Sequence, residues 1–161
     1  MHNSSLDLMA AFVSKHVPPA PALAVLDVGS MDVNGTYRSL FNGHNYRGLD
    51  VAAGPNVDFI GGLYDYPVPN GAFDVVISGQ TIEHVENLHR WIREVARVAA
   101  PGGLVCIIGP NTFSEHKHPV DCWRVWPDGM RFLLGQIAAL EVLECRAEGI
   151  DTIGIARKRR Q

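Results

Sequence analysis

No apolar run in the 161 residues approaches the ~18 needed to cross a bilayer. The N-terminus lacks both the basic start and the continuous apolar stretch of a secretory signal, so a cytoplasmic protein without a membrane span is expected. Cysteine is scarce: Cys106, Cys122 and Cys145 are odd in number, widely spaced and free of any C-x-x-C pair. That excludes a disulfide framework and a zinc-knuckle or redox motif, and it fits a reduced compartment. Surplus positive charge is also missing, with 14 Lys and Arg against 17 Asp and Glu and a formal net charge of -3. No global field attracts nucleic acid, and the only basic run, Arg157 to Arg160, reads as a solvated chain end. Repeats and low-complexity segments are absent, while 47% of residues are hydrophobic and 19% charged. The expectation is a single folded domain over 1–161, with residues 1–21 forming a capping helix and a proline-rich connector.

Residues 5–17 place Leu6, Met9, Ala10 and Val13 at helical spacing before Pro18, Pro19 and Pro21. A buried strand is expected over 23–28, ended by Gly29, then a helix beginning within 35–41 and a second strand over 46–51. Short apolar runs predict strands over 57–60, 73–78 and 104–108. Leu88, Trp91, Ile92, Val95 and Val98 predict a helix over 87–100, stopped by Pro101-Gly102-Gly103. A long polar and aromatic loop from Gly109 to about Pro127 has the length of a functional segment. A helix over 130–137 and two strands over 139–146 and 152–157 follow, the last two close enough to pair antiparallel. The fold class is α/β: a Rossmann-like three-layer sandwich around a mainly parallel seven-stranded sheet with an antiparallel terminal strand pair. Ligands in such sheets bind at the carboxyl ends of the strands.

That rule draws attention to Asp27, Gly29 and Ser30 after the first strand and to Asp50 at the end of the second. Asp50 lies 23 residues beyond Asp27, near the spacing of about 20 at which a carboxylate meets the hydroxyls of a ribose. A dinucleotide would call for G-x-G-x-x-G. The turn instead reads Gly29-Ser30-Met31-Asp32-Val33-Asn34-Gly35, with a negative charge where a pyrophosphate would sit. A carboxylate near the turn suits a cationic ligand carrying an amine and a sulfonium. An NAD-dependent oxidoreductase is therefore disfavoured.

Four segments, VLDVGS at 25–30, GLDV at 48–51, FDVVISGQTIEHVEN at 73–87 and REVARVAAPGGLVCIIGP at 93–110, resemble the class I S-adenosylmethionine-dependent methyltransferases. The resemblance spans roughly residues 22–135 and is strongest to the small type 11 methyltransferase domains. It implies S-adenosylmethionine as cofactor, its methionine portion held at Asp27, Gly29 and Ser30 and its ribose at Asp50. Leu63, before Tyr66-Pro67, is implied to lie against the adenine, where the family often carries Asp-Ala and this chain has Gly62-Leu63. Gly35, Val51 and Ser78 complete the expected cofactor set, Gly35 restoring a turn whose G-x-G core is replaced by Gly29-Ser30-Met31.

Methyl transfer from a sulfonium rests largely on positioning, and an oxygen acceptor gains from a base such as histidine. His84, in Glu83-His84-Val85, is a candidate for that role, with helix capping as its structural alternative. In a glycan-associated subset of type 11 domains a similar His-Pro, then Asp-x-Trp-Arg, follows the fifth strand. This resemblance points to His118 and Asp121, with Trp123 and Arg124, as acceptor-side residues; an Asp121–Arg124 pair bracing the loop is the alternative. His116 and His118 form one H-x-H without a carboxylate pair, so no metal is expected. The resulting expectation is methyl transfer to an oxygen, less readily a nitrogen, of a small molecule or glycan. A non-catalytic cofactor-binding or protein-interaction module is the competing reading.

Overall fold

Leu8, Met9 and Phe12 fall three and four residues apart, and helix α1 (Asn3–His16) buries them together with Ser5. This stripe is rotated from the expected one, Leu6, Met9, Ala10 and Val13, of which only Met9 is fully buried. The computed structural model describes residues 3–160. Seven strands follow: β1 (Ala24–Val28), β2 (Asn45–Asp50), β3 (Phe59–Ile60), β4 (Phe73–Gly79), β5 (Ala99–Pro110), β6 (Leu140–Glu148) and β7 (Asp151–Lys158). They form one sheet in the order β3-β2-β1-β4-β5-β7-β6. The first five pair in parallel, while β7 runs antiparallel to both β5 and β6. The expected sheet is therefore present, antiparallel end included.

Two layers of side chains cover the sheet. On one face Leu8, Met9 and Phe12 of α1 join Val25, Ile77, Ile108 and Ile155 in a continuous cluster. On the other, Trp91, Ile92 and Val95 of α2 (Leu88–Val98) and Met130 and Leu134 of α3 (Pro127–Gly135) pack with Leu26, Val76 and Val105. Fully burying side chains of this size contributes about 1.5–3 kcal/mol each.

Three local expectations are corrected. The segment 35–41 yields only a 3-10 turn, Arg38–Phe41. Gly35 takes φ +112° and its N–H donates to Asp32 Oδ1 at 2.7 Å, so a turn held by its own side chain occupies the residues a helix would need. Helix α2 ends at Val98 and β5 begins at Ala99, because Pro101 pushes Ala100 into the extended region. Helix α3 starts at Pro127 rather than Met130, with proline in its first turn, where the missing N–H costs nothing. Among the described residues, no helix is long and apolar enough to cross a membrane.

Candidate active site

The carboxyl ends of β1, β2 and β4 open into a cavity of about 840 Å³. At its β1 end the chain must leave the strand and turn under whatever occupies the space. Gly29 does so at φ +77°, and its N–H and that of Ser30 both donate to Leu49 O, at 2.8 and 3.1 Å. Met31 N–H donates to Asp50 Oδ2 at 3.0 Å, and Val51 N–H to Asp50 Oδ1 at 2.7 Å. With the turn amides spent on β2, no bare nest remains to receive a pyrophosphate. Each Asp50 oxygen keeps lone-pair capacity for a further donor, since a carboxylate offers about four acceptor sites.

Asp27 forms the floor. It is buried, and Tyr46 donates its hydroxyl to Oδ2, while Oδ1 has no hydrogen-bond partner among the described residues. Burial pushes the Asp27 carboxyl up to about 7, with the Tyr46 hydrogen bond opposing and the nearby Asp50 charge adding to the rise. Asp27 borders the cavity although Oδ1 itself is enclosed, so its carboxylate favours a cationic group there through its charge, and this end suits the methionine portion of S-adenosylmethionine. Asp50 suits its ribose.

The opposite end is built by the 3-10 turn Ile82–His84 and by the loop between β5 and α3. Arg124 holds that loop in shape. Its guanidinium meets both oxygens of Asp121 at 2.6 and 2.7 Å, and donates to Phe113 O and Ser114 O at 3.0 Å each. Asp121 Oδ2 also accepts the His116 N–H at 2.7 Å. The loop is sewn to the 3-10 turn by Cys122 N–H to Glu83 O at 2.7 Å, His84 Nδ1 to Val120 O at 2.6 Å and Trp123 Nε1 to Val85 O at 2.8 Å. The rings of His84, His116 and His118 meet edge to face, with centroids 5.1 to 6.2 Å apart.

Of the residues expected from sequence, Asp27, Gly29, Ser30, Gly35, Asp50, Val51, Leu63, His84 and His118 all line the cavity. Two do not. Ser78 is buried, with its hydroxyl donated to Val28 O at 2.8 Å. Asp121 turns away from the cavity into the Arg124 fork, whose hydrogen bonds hold its carboxyl far below the usual range; a strongly held anion cannot serve as a base. Helix capping falls to Asn87, which accepts from Arg90 N–H at 3.1 Å, and not to His84. Burial lowers the His84 pKa, so the ring is neutral near pH 7. Sequence reasoning passed over Thr81, Tyr37 and Phe113, which also line the cavity, and Glu83, which lies buried beneath the histidines. The adjacency of Glu83 to His84 at a strand end was the available signal.

Comparison with known proteins agrees with this fold. Residues 26–107 match the family model described as "Methyltransferase domain". Ajmaline N-methyltransferase of Rauvolfia serpentina is 43% identical over 65 residues, covering 38% of this chain and 22% of that protein. The matched segment thus spans about a fifth of the length of the first curated relatives. Among solved structures, a SAM-dependent methyltransferase from Aquifex aeolicus superposes with TM-score 0.71 at 20% identity, covering 98% of this chain and 94% of that one. The 1,6-didemethyltoxoflavin-N1-methyltransferase of Burkholderia thailandensis, with S-adenosylhomocysteine bound, reaches 0.75 at 16% identity, covering 97% and 79%. Likeness at this identity speaks for the fold. The family match reaches half of the chain and takes in Asp27, Gly29 and Asp50, and so the chain belongs to the S-adenosylmethionine-dependent methyltransferase domain family.

Proposed function

We propose that the chain transfers the methyl group of S-adenosylmethionine to an oxygen, less readily a nitrogen, of a small-molecule or glycan acceptor. The observation that carries this reading is one cavity bounded by the carboxylates Asp27 and Asp50 at one end and by His84, His116 and His118 at the other. The cofactor supplies an electrophilic methyl on a cationic sulfur. The protein's share is positioning: well-oriented reactants can gain about 7–11 kcal/mol over free encounter. Asp27 attracts the ammonium from beneath through its charge, Asp50 receives the ribose hydroxyls, and Leu63 lies along the adenine.

At the acceptor end, the Nδ1–H of His84 is committed to Val120 O, which leaves Nε2 as the basic atom. His118 is the second basic group there, and Asp121 with Arg124 positions the loop that carries it. The glycan reading rests on the His118-Pro119 and Asp121-x-Trp123-Arg124 pattern. The relatives with small-molecule names favour a small acceptor, and oxygen over nitrogen rests on the histidines alone.

Calorimetry with S-adenosylmethionine tests the cofactor end. Asp50→Ala is expected to weaken binding about 10–100-fold, the worth of hydrogen bonds to a charged group; affinity equal to the parent's removes the assignment. A screen of small-molecule and glycan acceptors with labelled methyl donor tests the transfer. Cofactor binding without transfer to any acceptor would leave the binding-module reading. That reading is favoured by the bare connections between β2, β3 and β4, where the described residues include no inserted acceptor element.

A further inference from the structure

Glu83 is fully buried, and neither carboxylate oxygen has a hydrogen-bond partner among the described residues. Burying a charged group without a partner is strongly unfavourable, and other buried acids in this fold are provided for. Asp151 accepts from Ser4 Oγ at 2.5 Å and from Gln80 Nε2 at 2.9 Å. Asp27 takes the Tyr46 hydroxyl and faces the cofactor end of the cavity.

What stands opposite Glu83 Oε1 is a pair of imidazole nitrogens, His84 Nε2 at 3.7 Å and His116 Nε2 at 3.6 Å. Both distances are too long for hydrogen bonds. The far nitrogens explain why: His84 Nδ1 lies 2.6 Å from Val120 O, and His116 Nδ1 lies 3.1 Å from Ser114 O. A carbonyl can only accept, so in each neutral ring the proton sits on Nδ1 and the Nε2 lone pair turns toward Glu83. With Glu83 ionised, as a bound cation requires, three Lewis bases thus converge with no proton between them. Backbone carbonyls that fix Nδ1–H and free Nε2 are the usual outer support of a metal-binding histidine.

The spacing agrees. With metal–ligand bonds of about 2.0–2.1 Å, a tetrahedral ion sets neighbouring ligand atoms about 3.3–3.4 Å apart. The two Glu83–histidine separations exceed that by a few tenths of an ångström, and all three atoms lie within 4.8 Å of one another.

We propose that Glu83 Oε1, His84 Nε2 and His116 Nε2 bind a divalent transition-metal cation of the zinc class at the acceptor end of the cavity. H-x-H spacing without a carboxylate pair argued against a metal; the fold supplies one carboxylate from the 3-10 turn after β4 and sets it beside His116 and His84 rather than His118. Because both histidines line the cavity, the fourth position of the ion opens toward the acceptor. Its role there, which rests on the methyl-transfer reading, is to hold an acceptor oxygen and favour loss of its proton; with the ion bound, His84 Nε2 is a ligand and His118 takes that proton.

The test is a titration of the chelator-treated full chain with Co²⁺, followed by the visible absorption of a tetrahedral ion and by displacement with Zn²⁺. One equivalent per chain is expected, with affinity weakened about 100-fold or more in Glu83→Gln and in His116→Ala. His116→Ala alters a loop residue, so it keeps the test decisive if the buried substitution fails to fold. Cys122→Ser, which removes an exposed thiol from the same loop, should leave binding unchanged. No uptake by the parent, equal uptake by His116→Ala, or loss of uptake in Cys122→Ser overturns the site. Calorimetry with S-adenosylmethionine on the metal-free chain separates the two readings: cofactor binding without Co²⁺ uptake removes the metal alone. Uptake without cofactor binding supports the metal and removes the methyl-transfer reading.

Discussion

A Cβ added at Gly29 would lie 2.1 Å from Thr81 Oγ1 and 2.6 Å from Thr81 Cγ2, on a backbone at φ +77°. Two penalties therefore coincide there: the left-handed conformation, and a clash with a short β-branched side chain that cannot swing far. Gly29→Ala is expected to cost about 1–3 kcal/mol of stability, the usual range for one strained residue, and to weaken S-adenosylmethionine binding as well. Adding Thr81→Ala should recover part of that stability, since it removes the two closest atoms but not the conformational strain. Denaturant melts of the parent and the two variants check this, and full recovery in the double variant would show that the backbone conformation carries no penalty. At this scale Gly29, Asp27 and Asp50 were legible, because strand ends and a fixed spacing mark them in one dimension. Glu83 was not legible as more than a neighbour of His84. Its burial, its bare oxygens and its approach to His116 arise only when a loop more than thirty residues downstream folds back over β4.

The loop from 111 to 126 has no regular structure, yet it is fixed by side chains rather than by a ladder. Arg124 spans three carbonyls, those of Phe113, Ser114 and Trp123, and both oxygens of a carboxylate whose side chain is almost wholly buried. A lysine places one compact charge where this planar fork makes parallel bonds, so Arg124→Lys is not conservative. It should cost about 1–3 kcal/mol, the penalty for leaving charged hydrogen-bond partners unmet, and speed amide exchange at His116, whose N–H shares Asp121. Hydrogen exchange measured at His116 and in β1 tests this; equal acceleration in both would mean general destabilisation rather than release of the loop. The sequence pattern marked Asp121 and Arg124 as residues of interest, but composition cannot distinguish a carboxylate facing a substrate from one bracing a loop. The same limit applied at 35–41, where a helix was expected but the Asp32 turn at Gly35 claimed the residues first.

Across the whole molecule, stability and ligand binding meet at Asp27, because the sheet, with Tyr46 of β2 as its partner, buries a carboxyl that the unfolded chain would expose to water. Its folded value of about 7 stands above the ordinary 3.8. Between those values the folded protein keeps a proton that the unfolded chain has released, so unfolding sheds a proton and stability falls as pH rises through the window, levelling off above about 7. A rise of this size corresponds to about 4 kcal/mol at most. In the metal-free chain Glu83, also raised by burial to about 7, acts in the same direction. Asp121, held low by Arg124, acts oppositely: the stability it contributes is present above the ordinary carboxylate range and is lost only in more acidic solution. Denaturant melts of the ligand-free chain should therefore show lower stability at pH 8 than at pH 5, with a smaller difference in Asp27→Asn. A cationic ligand whose ammonium lies against Asp27 favours the charged carboxylate, so saturating S-adenosylmethionine should stabilise the protein more at pH 8 than at pH 5. An equal increment at both pH values would mean that the ammonium does not lie against Asp27.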